Sequence, residues 1–264
     1  MKKLIALLLA LALCGCAAPA PTTEPVPTVT TVPETTIPET TVPETTVPPT
    51  TVPLHSDLFL ESCSLEELLT WWDEVVLQME YSDGTGDPAQ VQKWLFPLLC
   101  RIEGEPTEED LLVLEDFFQK LNRIPGFPGI AMAQGHQRVT LTLSFLGPED
   151  FHDSFSEVIG GGDAWGAAQF WYYTDTNEIH TARIGYRTDI PQADRNSILL
   201  EEIVNCLGIS DTELREDSIV YQYSNENLTL SDVDWLILKL LYHPDTECGM
   251  DRDSCHAVIE TLYH

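Results

Sequence analysis

The chain has 264 residues, with 43 Asp and Glu against 13 Lys and Arg and a net charge of −30. A nucleic-acid backbone demands a basic face, so this balance excludes nucleic acid as partner, and it argues equally against direct adhesion to anionic lipid or cell-wall polymer. The stretch from about Leu54 to His264 has the length of one domain, or of one domain with a helical extension.

The N-terminus starts with Lys2 and Lys3, runs through apolar residues from Leu4 to Leu13, and reaches Cys14-Gly15-Cys16. A bilayer needs about 20 apolar residues, so the run reads as a processed signal and not as a membrane span. Leu13-Cys14-Gly15-Cys16 resembles a bacterial lipobox, which implies cleavage before Cys16, diacylation of Cys16 and an extracytoplasmic, membrane-anchored protein. Ordinary cleavage near Ala18 or Ala20, leaving a soluble secreted protein, is the alternative. Residues 17–53 follow as a spacer. The unit Thr-Thr-Val-Pro-Glu recurs at Thr30 and Thr40, and Thr-Thr-Ile-Pro-Glu stands at Thr35. Proline in each unit removes backbone donors and favours extended chain, so this segment is expected to be a disordered stalk of on the order of 100 Å at full extension.

Within the domain, Ser64-Leu65-Glu66-Glu67 has capping-box form and starts a helix expected to run to about Glu80. Asp83-Gly84-Thr85-Gly86-Asp87 reads as a solvated turn, because it lacks the glycine and closing glutamate of a calcium loop. A second helix is expected over Ala89 to Cys100, perturbed by Pro97, and a third from Thr107, burying Leu111, Leu114, Phe117, Phe118 and Leu121. Val139 to Phe145 alternates as a strand with its apolar positions inward. Phe151 to Ile159 is a short helix. Ala167 to Thr174 and Ile179 to Arg187 are strands of a hairpin turning at Asp175-Thr176-Asn177. Asp194 to Cys206 is a helix closed by Gly208, and a last helix from Ser231 buries Val233, Leu236, Ile237, Leu240 and Leu241 before Pro244. This order is an α+β pattern. Cys63, Cys100, Cys206, Cys248 and Cys255 remain after Cys14 and Cys16 are set aside; disulfides are permitted outside the cytosol, and Cys248 with Cys255 is the most local pair.

Glu201-Glu202-Ile203-Val204-Asn205-Cys206-Leu207-Gly208-Ile209, then Asp217-Ser218-Ile219-Val220, Leu228-Thr229-Leu230-Ser231-Asp232, Leu241-Tyr242-His243-Pro244 and Gly249-Met250 resemble the bacterial family called domain of unknown function 2927. The likeness spans Ile179 to Met250 closely and the rest of the domain loosely. Members of that family resemble metzincin-type zinc metallopeptidases in layout. The resemblance implies a zincin-like α+β fold: a small mixed sheet, an active-site-type helix at about 194–207, a C-terminal helix at about 231–242, and a helical region in front.

Laid over the metzincin motif, the first histidine falls on Glu201, the catalytic glutamate on Glu202, the second histidine on Asn205, the glycine on Gly208 and the third histidine on Asp211. The methionine turn falls near Ile219 and Val220. All three imidazoles are missing, so a zinc site of the ordinary kind is not expected, and no cofactor is required. Glu201, Glu202, Asn205 and Asp211 could present oxygens to calcium or magnesium; otherwise they are the solvent face of an amphipathic helix. Glu202 lies at the polar border beside Ile198 and Cys206, where partial burial would raise its pKa. Two functions follow. The first is a noncatalytic module on the cell surface that binds a peptide or a protein partner in a degenerate zincin cleft. The second is a hydrolase with Glu202 as general base, aided by an unconventional metal or by Arg183, Arg187 or Arg195. A nucleophilic Ser197 or Ser218 lacks the glycine-flanked turn such serines use.

Overall fold

A computed structural model gives the structure of residues 58–77, 90–160 and 162–263. The lipobox, the Thr/Pro-rich segment, the turn at 81–88 and Met79 of the first predicted helix lie outside these residues.

Helix α1, Leu65–Val75, opens on the anticipated capping box: Ser64 accepts from the Glu67 amide and the Glu67 side chain accepts from the Ser64 amide. It stops short of the expected Glu80. The Ser210 amide takes the Val75 carbonyl at 2.7 Å, so that carbonyl is committed to another segment and not to a further helical turn.

The predicted helix over 89–100 does not form. Residues 90–97 are irregular but for an isolated bridge at Lys93, and β1, Leu98–Gly104, follows. Two local causes combine. Pro97 holds Phe96 out of helical conformation, and the segment's backbone bonds elsewhere: Val91 N–H to the Met250 carbonyl (3.0 Å), Ile179 N–H to the Lys93 carbonyl (2.9 Å). Val91, Trp94 and Leu98 are apolar at helical spacing yet all fully buried in this extended path.

Helix α2, Glu108–Leu121, leads to β2, Ile130–Met132, and β3, Leu141–Leu146. Helix α3, Pro148–Ile159, precedes β4, Gly166–Tyr172, and β5, Ile179–Arg187. Helix α4, Gln192–Cys206, and α5, Asp232–Leu241, match the two anticipated helices within two residues at each end. Helix α6, Arg252–Leu262, was not anticipated; Asp251 caps it, and Cys255, Ile259 and Leu262 are its buried stripe.

Among the described residues the strands form one five-stranded sheet in the order β2-β1-β3-β5-β4. All neighbours are parallel except β4, which pairs antiparallel with β5 at one edge. The fold is therefore a mixed α/β arrangement, with more strand and more parallel pairing than the sequence suggested. Alternation sorts the residues by face. Leu98, Cys100, Leu141, Leu143, Phe145, Ala182, Ile184 and Tyr186 point to the side where α2 and α4 pack, and all are buried.

The Cys248–Cys255 bridge is absent. All five cysteines of the domain are free thiols, and the Cys248 Sγ donates to the Lys93 carbonyl at 3.7 Å. Burial pushes the Cys100 thiol up to about 12 and the Cys255 thiol up to about 11, so both stay protonated and inert at neutral pH. Among the described residues no helix is long and apolar enough to cross a membrane.

Candidate functional site

Helix α4 is packed against β4 and β5 on one side and α2 on another. From Ile198 to Cys206, only Glu201 and Asn205 reach solvent, and both are half-buried. The expected polar face thus narrows to a strip, and Glu202 does not belong to it: it is 8% exposed.

What buries Glu202 is the edge strand. A Cβ on Gly166, the first residue of β4, would lie 2.5 Å from Glu202 Oε1 and 2.4 Å from Ile198 Cγ2. Only a residue without a side chain lets the β4 backbone pass this close to α4. Gly166 was not singled out in the sequence, although a glycine opening a strand is the available signal of close backbone approach. No hydrogen bond to the Glu202 carboxyl is present among the described residues. Burial, followed by the negative charges of Glu201 and Asp211, pushes its pKa well above the ordinary carboxylate range. Burial here favours the neutral acid over the carboxylate.

Asp211 joins the cluster across the turn that ends α4. Asn205 Nδ2 donates to Asp211 Oδ1 at 2.9 Å, while Asn205 Oδ1 is buried without a donor. The turn depends on Gly208, whose φ of +101° follows the last helical residues. Beyond it, Glu74 of α1 fixes the loop by accepting from Thr212 Oγ1 (2.8 Å) and the Glu213 amide (2.9 Å). The segment Ser218-Ile219-Val220 is buried and tied to the start of α5: Ser218 Oγ donates to Asp234 Oδ1 at 2.6 Å and the Ile219 amide to Asp234 Oδ2 at 3.0 Å. Ser218 is thereby a structural hydroxyl whose acceptor is a carboxylate, not a histidine.

The structure brings Glu201, Glu202, Asn205 and Asp211 together, with Gly208 shaping the turn between them. It does not bring the arginines. Arg195 is bonded to Asp110, Arg187 to Asp163 and Asp189, and Arg183 projects from the opposite face of the sheet, bonded to Gln169. Among the described residues no group of three or more His, Cys, Asp or Glu side chains is placed to hold a metal ion. A groove of about 750 Å³ lies elsewhere, between the hairpin tip at Asp175–Glu178 and the turn after α5. Lys93 lines it, with its Nζ donating to the Leu241 and Thr246 carbonyls, and none of the α4 cluster does.

An unpartnered buried acid has a measurable consequence. Because the folded-state pKa of Glu202 is raised, its ionisation opposes folding: there is no penalty below the ordinary carboxylate range, and stability is lost as pH rises from that range. Glu202→Gln removes the ionisation. Between pH 5 and pH 8 the unsubstituted domain should lose more of its melting temperature than the variant does, by about 3 °C or more. Equal losses in the two proteins would show that Glu202 is ordinary.

A family model described as "Protein of unknown function (DUF2927)" matches residues 65–261. No curated protein matches the chain.

Proposed function

The chain belongs to the DUF2927 family of proteins of unknown function, and from that premise we propose that it is a noncatalytic peptide-binding module with a degenerate zincin-like site, held on the extracytoplasmic face of the membrane by lipid on Cys16. The observation that carries the proposal is the contrast at β4. Its inner side closes over Glu202, whose burial favours the neutral acid and leaves the one surviving catalytic-type residue without the access a general base needs. Its outer edge is the end of the sheet, with backbone N–H and C=O groups unpaired by any neighbouring strand among the described residues. An extended peptide can add there as a further antiparallel strand. The layout that follows supports the zincin-like part: α4 ends at Leu207-Gly208, a buried turn at Ser218–Val220 lies between α4 and α5, and α5 closes on Leu241-Tyr242. No cofactor is needed for this role.

The test is a display of extended peptides on which the purified chain is assayed for both binding and cleavage. Binding without turnover is expected, and backbone N-methylation of a bound peptide should weaken it about tenfold or more, because strand addition depends on main-chain donors. Turnover that disappears in Glu202→Gln would put a hydrolase in place of the binding module. Anchoring is tested separately: Cys16→Ala should release the protein to the medium or leave it unprocessed, and unchanged membrane fractionation with processing intact would remove the lipid from the proposal.

A further inference from the structure

We propose that the outer face of the sheet, turned away from α4, binds a short carboxylate-bearing oligosaccharide through Arg183 and Arg101. The site does not use Glu202, and from β4 it takes side chains and not the backbone edge proposed for the peptide.

Strand register lines up four polar side chains in one row: Arg101 of β1 pairs with Thr142 of β3, Thr142 with Arg183 of β5, and Arg183 with Gln169 of β4. Residues paired in register point to the same face, here the one opposite the buried Cys100, Leu141 and Ala182. Helix α3 covers only the end of this face, where Phe155 lies on Gly185; a Cβ there would meet the ring at 2.4 Å. In the row next to it Thr142, Gln169 and Arg183 are half-buried and Arg101 is exposed.

Arg183 is set up to receive an anion. Its guanidinium carbon stands 4.8 Å from the Phe155 ring centroid and 5.8 Å from that of Trp171, and its Nε donates to Gln169 Oε1 at 2.9 Å. The planar group lies near two aromatic rings and is held at Nε, while its two terminal nitrogens make no hydrogen bond among the described residues. That fork matches a carboxylate in bidentate geometry. Arg187, Arg195, Arg215 and Arg252 each already hold an Asp at 2.9 Å or less. Arg101 is more than half exposed, and its nearest carboxylate, Glu103 on its own strand, is 3.9 Å away. With strands about 4.8 Å apart, Arg101 and Arg183 start about 10 Å from each other with the Thr142 hydroxyl between them.

The remaining chemistry on this face selects a sugar. Trp171, 40% exposed, presents a ring for the C–H face of a pyranose, and Thr142, Thr181 and Gln169 are short hydroxyl and amide groups suited to sugar hydroxyls. The chain's charge of −30 sets the length. Repulsion is screened beyond about 8 Å at physiological salt, so a few acidic units over two arginines are attracted while a long polyanion meets the acidic surface around them.

The experiment is calorimetric titration of the full chain in detergent with an oligogalacturonate of a few units. Saturable binding is expected, weakening as NaCl rises, with affinity about tenfold lower in Arg183→Ala and in Trp171→Ala and measurably lower in Arg101→Ala. Arg183→Lys should also bind weakly, since an ammonium cannot make the fork. Because Arg183 also packs against α3, melting curves accompany each variant, and the exposed Arg101→Ala carries the test if Arg183→Ala does not fold. Absence of binding to oligogalacturonate overturns the proposal. So does affinity unchanged by the arginine substitutions, or equal binding of the neutral oligosaccharide, of poly-glycerol phosphate or of an acidic peptide.

Discussion

Arg195→Ala will lower the stability of the domain by about 3–5 kcal/mol and its melting temperature by roughly 10 °C. Arg195 is 4% exposed and Asp110 fully buried, with Nε 2.9 Å from Oδ1. Around that pair, Arg195 donates to the Thr188 carbonyl at 3.1 Å and to Gln192 Oε1 at 2.6 Å, and Gln192 Nε2 donates to Asp110 Oδ1 at 2.6 Å. Asp110 also caps α2 by accepting from the Thr107 amide at 2.7 Å. One network therefore joins the N-termini of α2 and α4 to the end of β5. Burial pushes the Asp110 carboxyl up, but hydrogen bonds from Arg195, Thr107 and Gln192 outweigh it and hold the group below the ordinary range. That sign means the network stabilises the fold above the unfolded-state pKa of the carboxyl and is lost as pH falls through the folded-state value. Removing Arg195 strands a buried charge, which is the costly way to break such a pair. The double variant Asp110→Ala with Arg195→Ala should lose less than the sum of the single ones, and strict additivity in denaturant melts would count against a coupled pair.

The elements legible in the sequence are those whose signals are local. Ser64 with Glu67 marked the start of α1, strict alternation marked β3 and β5, and Gly208 marked the end of α4. What failed depended on partners far along the chain. Val91, Trp94 and Leu98 have helical spacing, yet the Val91 amide donates to Met250, the Lys93 carbonyl accepts from Ile179, the Leu98 amide donates to Gly129, and Trp94 Nε1 donates to the Cys206 carbonyl at 2.8 Å. Strand β2 is three residues long, too short for any period to show. In α6, Asp251 as a cap and the spacing Cys255, Ile259, Leu262 are a local signal that the sequence carries. The site divides in the same way. Helical geometry alone brings Glu201, Glu202 and Asn205 near one another. Whether Glu202 is open or closed is decided by the passage of β4 at Gly166, thirty-odd residues earlier, and no helical wheel contains that strand.

Gly208→Ala should be as damaging as the loss of Arg195, for a reason that lies wholly in the backbone. At φ +101° a side chain is strained by about 1–3 kcal/mol before any contact is counted. The Cβ would also stand 2.1 Å from the Gln92 carbonyl oxygen and 3.2 Å from its carbon, both backbone atoms that cannot rotate aside. Nor can the segment retreat as a whole. Val91 donates to Met250, Gly249 donates to the Val91 carbonyl at 2.9 Å, and Ile179 holds Lys93 from the other side. Displacement must break one of these contacts, adding about 1–3 kcal/mol and giving a total of roughly 3–5 kcal/mol. Gly135 supplies the control: its φ is +57° and a Cβ there meets nothing within 4 Å, so Gly135→Ala should lose only the conformational part, about 1 kcal/mol. The substitution at Gly208 reaches the site as well, because the Asn205–Asp211 hydrogen bond spans the turn that must shift. Denaturant melts that place Gly208→Ala level with Gly135→Ala would mean that residues 90–94 yield freely, and that the close approach of this segment to α4 does not fix the turn behind Glu202.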